Sequence, residues 1–284
     1  MRNILLTIAY DGTGFCGWQR QENQRTVQGR LEEALSIVCL QDIKVSGTSR
    51  TDSGVHALGQ CASFTLPDDG IPTDKIALAA NDILAFDKVE GIGDIRIISA
   101  REMPEGFHAR HSAKGKRYIY RIYNCREKSP FRRTQFYQVD RQLDLDAMRQ
   151  AAAKIEGTHD FKSFETAGST VHDSTVRTVY SVKIEAEKVK PEAGASAQGG
   201  DADPRESFDP LSIKISVEGD AFLYNMVRII VGTLVEVGLH RIDADDIDKI
   251  IESKDRGNAG HTAPAQGLYL DEVFFDEAVK SAEV

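Results

Sequence analysis

The sequence predicts an α+β fold in which a largely antiparallel mixed sheet is flanked by helices. Three observations predict it: short apolar segments rich in β-formers, segments whose apolar residues recur at helical spacing, and an order of the two kinds without strict βαβ alternation. Strict alternation would instead favour a doubly wound parallel sheet. With 284 residues, 41% hydrophobic and 28% charged, the chain has the composition of a globular protein with a substantial core.

The first two elements are a strand at residues 3–10, which ends at a glycine-rich loop, and a helix that begins after Thr26. Thr26 suits the N-cap position because its hydroxyl can accept a bond from a free backbone N–H group. Apolar residues then follow on one helical face: Val27, Leu31, Ala34, Leu35 and Val38. The same patterns predict strands at 56–66, 95–99, 117–123, 176–184, 211–217 and 268–275, and helices at 73–84, 144–155, 222–237 and 244–253.

The chain is expected to form two α+β lobes, residues 1–105 and 106–284. Residues 188–209 are rich in Ala, Gly, Glu, Asp, Pro and Ser, so they predict a mobile insertion. No apolar run approaches the ~20 residues that span a bilayer, so we expect no membrane association. Four widely spaced cysteines without a CxxC pair favour a reducing, cytoplasmic location.

A literal GxGxxG motif, Gly12 to Gly17, follows the first strand. A dinucleotide site needs the helix to begin inside the glycines, so that its N-terminus meets the pyrophosphate. Here seven residues, 18–24, precede the helix start at Thr26. We therefore interpret the motif as a tight loop that presents Trp18, Gln19 and Arg20.

The segment 47–56 brings Arg50, Asp52, Ser53, Gly54 and His56 together between two strand-like segments. Asp-Ser-Gly is typical of a turn, and a loop of this composition can equally carry a functional carboxylate. The residues alone leave both interpretations open. His56 starts the next strand and is expected to pack or form hydrogen bonds rather than bind a metal.

Residues 101–141 form a basic segment in an acidic protein of net charge −9. They contain eleven Lys and Arg against four Asp and Glu, a local balance of +7, together with seven Phe and Tyr. Cations interleaved with aromatics suit a surface that binds phosphates and stacks bases. Alternation along 117–123 places Tyr118 and Tyr120 on one face, so some of these tyrosines must pack in the core. The acidic surplus comes mostly from 185–209 and 271–284, each with a local balance of −4.

Arg228 lies in a strongly apolar helix. A guanidinium there must reach solvent or be paired, because an unpaired buried charge is costly. Asp52 would serve as a partner, and the pairing would lower the pKa of its carboxyl group. The acids Asp243, Asp245, Asp246 and Asp248 resemble a metal loop, but they stand where a helix begins, a position that favours acids through capping.

Several blocks together resemble the TruA-type tRNA pseudouridine synthases. They follow in the family's order along nearly the whole chain and comprise 10–19, 50–56, 107–110, 116–120, 159–161, 226–232 and 267–270. Two departures are visible: Thr48-Ser49 stands where the family has Ala-Gly, and Ser53 replaces an alanine. Ser49 matters only if its position requires a positive φ.

The resemblance implies the pseudouridine synthase fold and isomerisation of uridine to pseudouridine at positions 38 to 40 in the anticodon stem-loop of tRNA. It implies that Asp52 is the catalytic nucleophile, that Tyr118 stacks on the target base, that Arg228 pairs with the aspartate and that Arg50 helps to flip the nucleotide. It further implies a homodimer with no cofactor and no metal. Two alternatives remain: a non-catalytic RNA-binding module that uses the same basic, aromatic surface, and a nucleosidase that releases uracil.

Overall fold

The computed structural model describes residues 1–85, 93–166, 174–190 and 208–276. Contacts group the chain into two compact units, Met1–Arg117 with the segment from Tyr269 onward, and Tyr118–Leu268. We refer to them as unit 1 and unit 2. They differ from the lobes 1–105 and 106–284 of the sequence interpretation because packing assigns the last strand to unit 1, a long-range relation that composition does not show.

The described part of unit 1 contains a mixed sheet of antiparallel and parallel strands, with two helices. Its elements are β1 (Arg2–Tyr10), α1 (Val27–Cys39), the short β2 (Ser46–Gly47), β3 (His56–Leu66), α2 (Thr73–Ala85), β4 (Ile95–Met103) and all but the first residue of β10 (Leu268–Phe274). Strand β1 pairs antiparallel with both β3 and β4, and β10 runs parallel to β3 with Tyr269 opposite His56. Strand β2 adds to β3 as an antiparallel partner.

The described part of unit 2 has its own strands and three α-helices. Its elements are β5 (Gly115–Asn124, which enters the unit at Tyr118), β6 (Tyr137–Val139), α3 (Leu145–Ile155), β7 (Gly157–Asp160), β8 (Val176–Lys188), β9 (Leu211–Gly219), α4 (Met226–Gly238) and α5 (Ile247–Ser253). The strand order is β5-β9-β8-β7, with β6 parallel to β5. The α+β class with a largely antiparallel mixed sheet is therefore confirmed.

Most predicted elements are present. Strand β3 has the predicted limits, and Thr26 caps α1 by accepting a hydrogen bond from the backbone N–H of Gly29. The helix predicted to begin at 222 begins at Met226 instead, because Asn225 adopts a left-handed conformation with φ +60°. Strands β2, β6 and β7 have two to four residues and show no usable alternation.

Two further predictions concern the insertion and the absence of a membrane span. Most of the insertion predicted at 188–209 falls on 191–207, which lie outside the described residues. No helix in the described ranges combines the length and apolarity needed to cross a bilayer.

Helix α4 is almost wholly buried and packs closely against the loop 260–263. The Ala263 N–H donates to the Arg228 carbonyl at 3.1 Å, and the Gly260 N–H donates to Thr233 Oγ1 at 2.9 Å. Gly232 permits this approach, since a Cβ there would lie 1.8 Å from the His261 carbonyl oxygen. A side chain at 232 would therefore push the loop away from the helix.

Gly232→Ala is expected to destabilise the protein by about 2 kcal/mol, as overpacking of a core does. In a free helix the same substitution would instead stabilise by up to ~1 kcal/mol. Urea unfolding measures the change. The matched control is Gln150→Ala on the exposed face of α3, expected to stay within about 0.5 kcal/mol of the parent. A stabilised Gly232→Ala variant would contradict the close approach of the loop.

Candidate active site

Asp52 occupies the first position of a tight turn between β2 and β3. The Val55 N–H donates to the Asp52 carbonyl at 3.1 Å, and Gly54 supplies the positive φ of +77° that such a turn needs. Asp52 is half-buried, while the preceding Arg50 is exposed. The turn interpretation is thus confirmed, and a turn of this kind is compatible with a functional carboxylate at its start.

The glycine-rich loop after β1 supports this turn. A Cβ at Gly12 would lie 2.0 Å from the Val55 carbonyl oxygen, and one at Gly17, whose φ is +88°, would lie 2.7 Å from the Thr51 carbonyl oxygen. The backbones of the two loops are therefore in direct contact, as the 3.0 Å bond from the Trp18 N–H to the Thr51 carbonyl also shows. The glycines serve close approach of two backbones.

Two side-chain hydrogen bonds complete the contact. The hydroxyl groups of Tyr10 and Thr51 are 2.7 Å apart, and Ser53 Oγ donates to the Phe15 carbonyl at 3.0 Å. Both residues beside Asp52 are consequently held by side-chain hydrogen bonds, Thr51 by the end of β1 and Ser53 by the glycine-rich loop. This arrangement limits the positions that the Asp52 backbone can adopt.

The expectation that this loop presents Trp18 is wrong. The Trp18 side chain is only 1% exposed and packs over Gly47, where any Cβ would collide with the indole ring. Arg20 is exposed, and it pairs with the buried Glu32 at 2.8 Å. The indole is held in the core because a large apolar ring gains more from burial than from exposure.

His56 is buried and forms hydrogen bonds, as predicted. Its Nδ1 lies 3.1 Å from the Gly12 backbone N and 3.2 Å from Asp11 Oδ1, and its ring stacks on Tyr269 at 4.6 Å. The hydrogen bond with His56, reinforced by bonds from Thr13, holds the pKa of the Asp11 carboxyl well below its usual range. His56 thereby joins the glycine-rich loop to the start of β3.

Ser49 stands where the family has glycine, and its backbone conformation shows whether the position requires a positive φ. It is not among the described residues with a positive φ, so its backbone does not require glycine. Its hydroxyl is buried and has no hydrogen-bond partner in the described part of the chain. Thr48 next to it is satisfied, since its hydroxyl donates to the Cys61 carbonyl at 3.0 Å.

Tyr118 begins the unit 2 part of β5. It is 8% exposed, and its ring meets Phe222 edge to face at 5.3 Å. Tyr120 and Tyr123 are fully buried, which confirms that some tyrosines of the basic segment are core residues. Burial raises the pKa of the Tyr120 hydroxyl well above its usual value, and this hydroxyl donates to the Pro264 carbonyl at 2.6 Å.

Arg228 is half-buried in the first turn of α4. Its Nε donates to the Ala263 carbonyl at 2.7 Å, and one Nη donates to Asn225 Oδ1 at 2.8 Å. These two bonds fix the plane of the guanidinium. Asn225 and the loop 260–263 were not identified from the sequence, because neither has a local pattern that reveals contact with Arg228.

The acids near α5 are capping residues and ion-pair partners. Asp243 accepts a hydrogen bond from the Asp245 N–H at the start of the 3₁₀ turn Ala244–Asp246, Asp246 pairs with Lys249 at 2.7 Å, and Asp248 pairs with Lys154 at 2.7 Å. Across the four described ranges, no group of three or more His, Cys, Asp or Glu is arranged to hold a metal ion.

The predicted site residues fall into two groups. Arg50 and Asp52 share one loop of unit 1, whereas Tyr118 and Arg228 belong to unit 2. The pairing of Asp52 with Arg228 links residues of the two units and stays a prediction.

Comparison with known proteins assigns the chain to a class of RNA-modifying enzymes. The chain belongs to the tRNA pseudouridine synthase family, whose family model matches residues 6–91 and 151–276. These segments contain Arg50, Asp52 and Arg228, and Tyr118 lies between them.

Individual relatives are similar over almost their full length. The tRNA pseudouridine synthase A of Acetivibrio thermocellus is 45% identical over 275 residues, which covers 97% of this chain and 100% of the relative. Those of Ruminiclostridium cellulolyticum and Caldicellulosiruptor bescii are 43% and 42% identical over the same shares of both chains.

Ser49→Ala is expected to leave the free energy of unfolding unchanged or to raise it by up to about 1 kcal/mol, because it removes a buried hydroxyl without a partner. The matched control is Ser163→Ala, whose hydroxyl is equally buried but donates to the Ile250 carbonyl at 2.6 Å. That variant should lose ~1 kcal/mol in urea unfolding. Equal losses in the two variants would show that Ser49 has a partner.

Proposed function

We propose that the protein isomerises uridine to pseudouridine in tRNA, at positions 38 to 40 of the anticodon stem-loop. The observation that carries the proposal is Asp52, a half-buried carboxylate whose turn is held on one side by the end of β1 and on the other by the glycine-rich loop. Relatives at 41% to 45% identity are named tRNA pseudouridine synthase A, which supports the same substrate for this chain.

Asp52 acts as the nucleophile on a uridine that has left the base stack. Its carboxylate forms a covalent bond to the nucleotide, and the C1′–N1 bond breaks. The uracil turns and C5 bonds to C1′, and the bond between Asp52 and the nucleotide breaks, which regenerates the carboxylate. The C5 proton then leaves and N1 takes up a proton. All atoms of the uridine are retained, so the isomerisation consumes no cofactor. A rigid turn favours this chemistry because the nucleophile is positioned before the substrate binds.

Three further residues assist in this proposal. Tyr118 stacks on the target base and helps to remove the C5 proton, and Arg228 pairs with the Asp52 carboxylate and keeps it ionised. Arg50 reaches the RNA and supports flipping, which agrees with its exposed side chain. The carbonyl of Ala263 and the amide of Asn225 hold the Arg228 guanidinium in one plane, as a bidentate partner requires.

The basic segment 101–141 supports tRNA as the substrate. Its exposed cations are Arg110, Lys114, Arg126, Lys128, Arg133 and Arg141. Binding to RNA depends on local positive charge at the phosphates and not on the net charge of −9. An acidic protein can therefore bind tRNA through this segment.

Asp52→Asn is expected to lower pseudouridine formation by at least about a thousandfold, because the amide cannot attack the nucleotide. The affinity for unmodified tRNA should stay within about threefold, since the amide has the same shape. Asp69→Asn, a charge change at an exposed residue of unit 1, is the matched control and should remain active. Pseudouridine is measured by chemical adduct formation, and tRNA binding by filter retention.

The same assay separates the alternatives. An Asp52→Asn variant that still forms pseudouridine would overturn the proposed role of Asp52. Binding of tRNA by the parent protein without any pseudouridine would favour a non-catalytic RNA-binding module. Free uracil with an abasic site in the tRNA would favour a nucleosidase.

We also propose that the protein works as a homodimer in the cytoplasm, where its tRNA substrate is available. The support is the resemblance to the family. Sedimentation at the concentration used for the activity assay should give about twice the chain mass of 31.3 kDa. A fully active monomer would contradict the dimer.

A further inference from the structure

Lys116 on β5 differs from the two basic residues nearest to it in the sequence, Lys114 and Arg117. Lys114 pairs with Asp276 at 3.4 Å, and Arg117 pairs with Asp271 at 2.5 Å and also with Glu272. In the described ranges, the Lys116 ammonium has neither an ion pair nor a hydrogen bond. The carboxylates of this edge of unit 1 are thus engaged by its neighbours.

Lys116 is nevertheless half-buried. Burial, and to a lesser extent the positive charge of Arg110, lowers the pKa of its ammonium to about 8. No carboxylate contributes to that pKa. A desolvated cation next to a second cation is unfavourable in the free protein, and an anion bound between them would relieve both costs.

Arg110 is presented by a tight turn. The Ser112 N–H donates to the His108 carbonyl at 2.9 Å, and the His108 N–H lies 3.3 Å from Ser112 Oγ. The Arg110 Nε donates to the Gly47 carbonyl at 3.3 Å, so its guanidinium lies against the segment that leads to Arg50 and Asp52.

We propose that Lys116 and Arg110 form a binding site for a backbone phosphate of the RNA, beside the Asp52 loop. The proposal rests on the proposed function for the identity of the RNA. The site itself is inferred from two neighbouring cations without a carboxylate partner. Lys116 is desolvated, and Arg110 contacts Gly47. Lys116 lies two residues before Tyr118, which suits a phosphate close to the flipped nucleotide.

The test measures the affinity of the full-length protein for an unmodified tRNA transcript as a function of salt. Lys116→Met should weaken binding roughly tenfold and reduce the slope of log affinity against log salt by about 0.7 to 0.9, the loss of one phosphate contact. Lys75→Met is the matched control, since Lys75 is exposed on α2 and pairs with Asp74 at 3.1 Å. Its slope should equal that of the parent.

The pH dependence provides a second readout. A bound phosphate favours the charged ammonium, so tRNA affinity of the parent should fall as the pH rises from 7.5 through about 8 to 9. Lys116→Arg should retain affinity across this range, because guanidinium stays protonated. Lys116→Arg leaves the other titratable and charged groups of this region as they are in the parent. They are Lys114, Arg117, Asp271, Glu272, Asp276, His108, Arg110 and His111.

Folding is controlled within the same set of variants. Lys116→Met removes a desolvated charge that has no partner, so its thermal midpoint should equal or exceed that of the parent. A lower midpoint would show that Lys116 has a structural partner and would overturn the proposal.

The possible outcomes test the phosphate site separately from the proposed isomerase function. Unchanged affinity and slope for Lys116→Met, in a protein that makes pseudouridine, would overturn the phosphate site and leave the function intact. A Lys116-dependent slope in a protein without isomerase activity would support the site and overturn the function. Stabilisation by inorganic phosphate that depends on Lys116, with no effect on tRNA binding, would overturn the assignment to the RNA backbone.

Discussion

The structure of unit 1 depends on the contact between two backbones, the glycine-rich loop and the Asp52 loop. At Gly12 and Gly17 this contact leaves no space for a Cβ, and hydrogen bonds from Trp18 and Ser53 tie the loops together. Backbone contact of this kind tolerates little movement, because both partners are already at their closest approach. The position of the carboxylate is therefore set by residues that have no chemical role.

In unit 2, too, a glycine allows two backbone segments to lie in close contact. Gly232 lets the loop 260–263 lie on α4, and the Ala263 carbonyl from that loop accepts a hydrogen bond from the Arg228 guanidinium. His261 secures the loop from its other side, with Nδ1 2.9 Å from Glu236 and Nε2 3.1 Å from the Tyr137 hydroxyl. In both units, glycine at a point of backbone contact positions a charged side chain.

The sequence predicted the regular elements well where their patterns were long. The eleven residues of β3 and the capped helix α1 show clear periodicity, and both have the expected limits or cap. The start of α4 was misplaced, since the left-handed conformation of Asn225 interrupts an apolar run that reads as continuous helix. Trp18 was expected at the surface because its burial depends on Gly47, a residue 29 positions away.

The candidate active site, too, could be predicted only in part from the sequence. From the residues alone, Asp52 was equally a turn residue or a functional carboxylate, and only the resemblance over several blocks favoured catalysis. Lys116 counted as one of eleven cations in the basic segment, because a sequence does not show which cations have carboxylate partners. That distinction depends on β10, which brings Asp271 and Glu272 to Arg117 from more than 150 positions away.

Mapping of pseudouridine along an unmodified tRNA, after incubation with the parent protein in the absence of added metal or cofactor, tests the central claim most directly. The account predicts pseudouridine at positions 38 to 40, no other modified position and no free uracil. Absence of pseudouridine from these positions, or release of uracil from the tRNA, would contradict it.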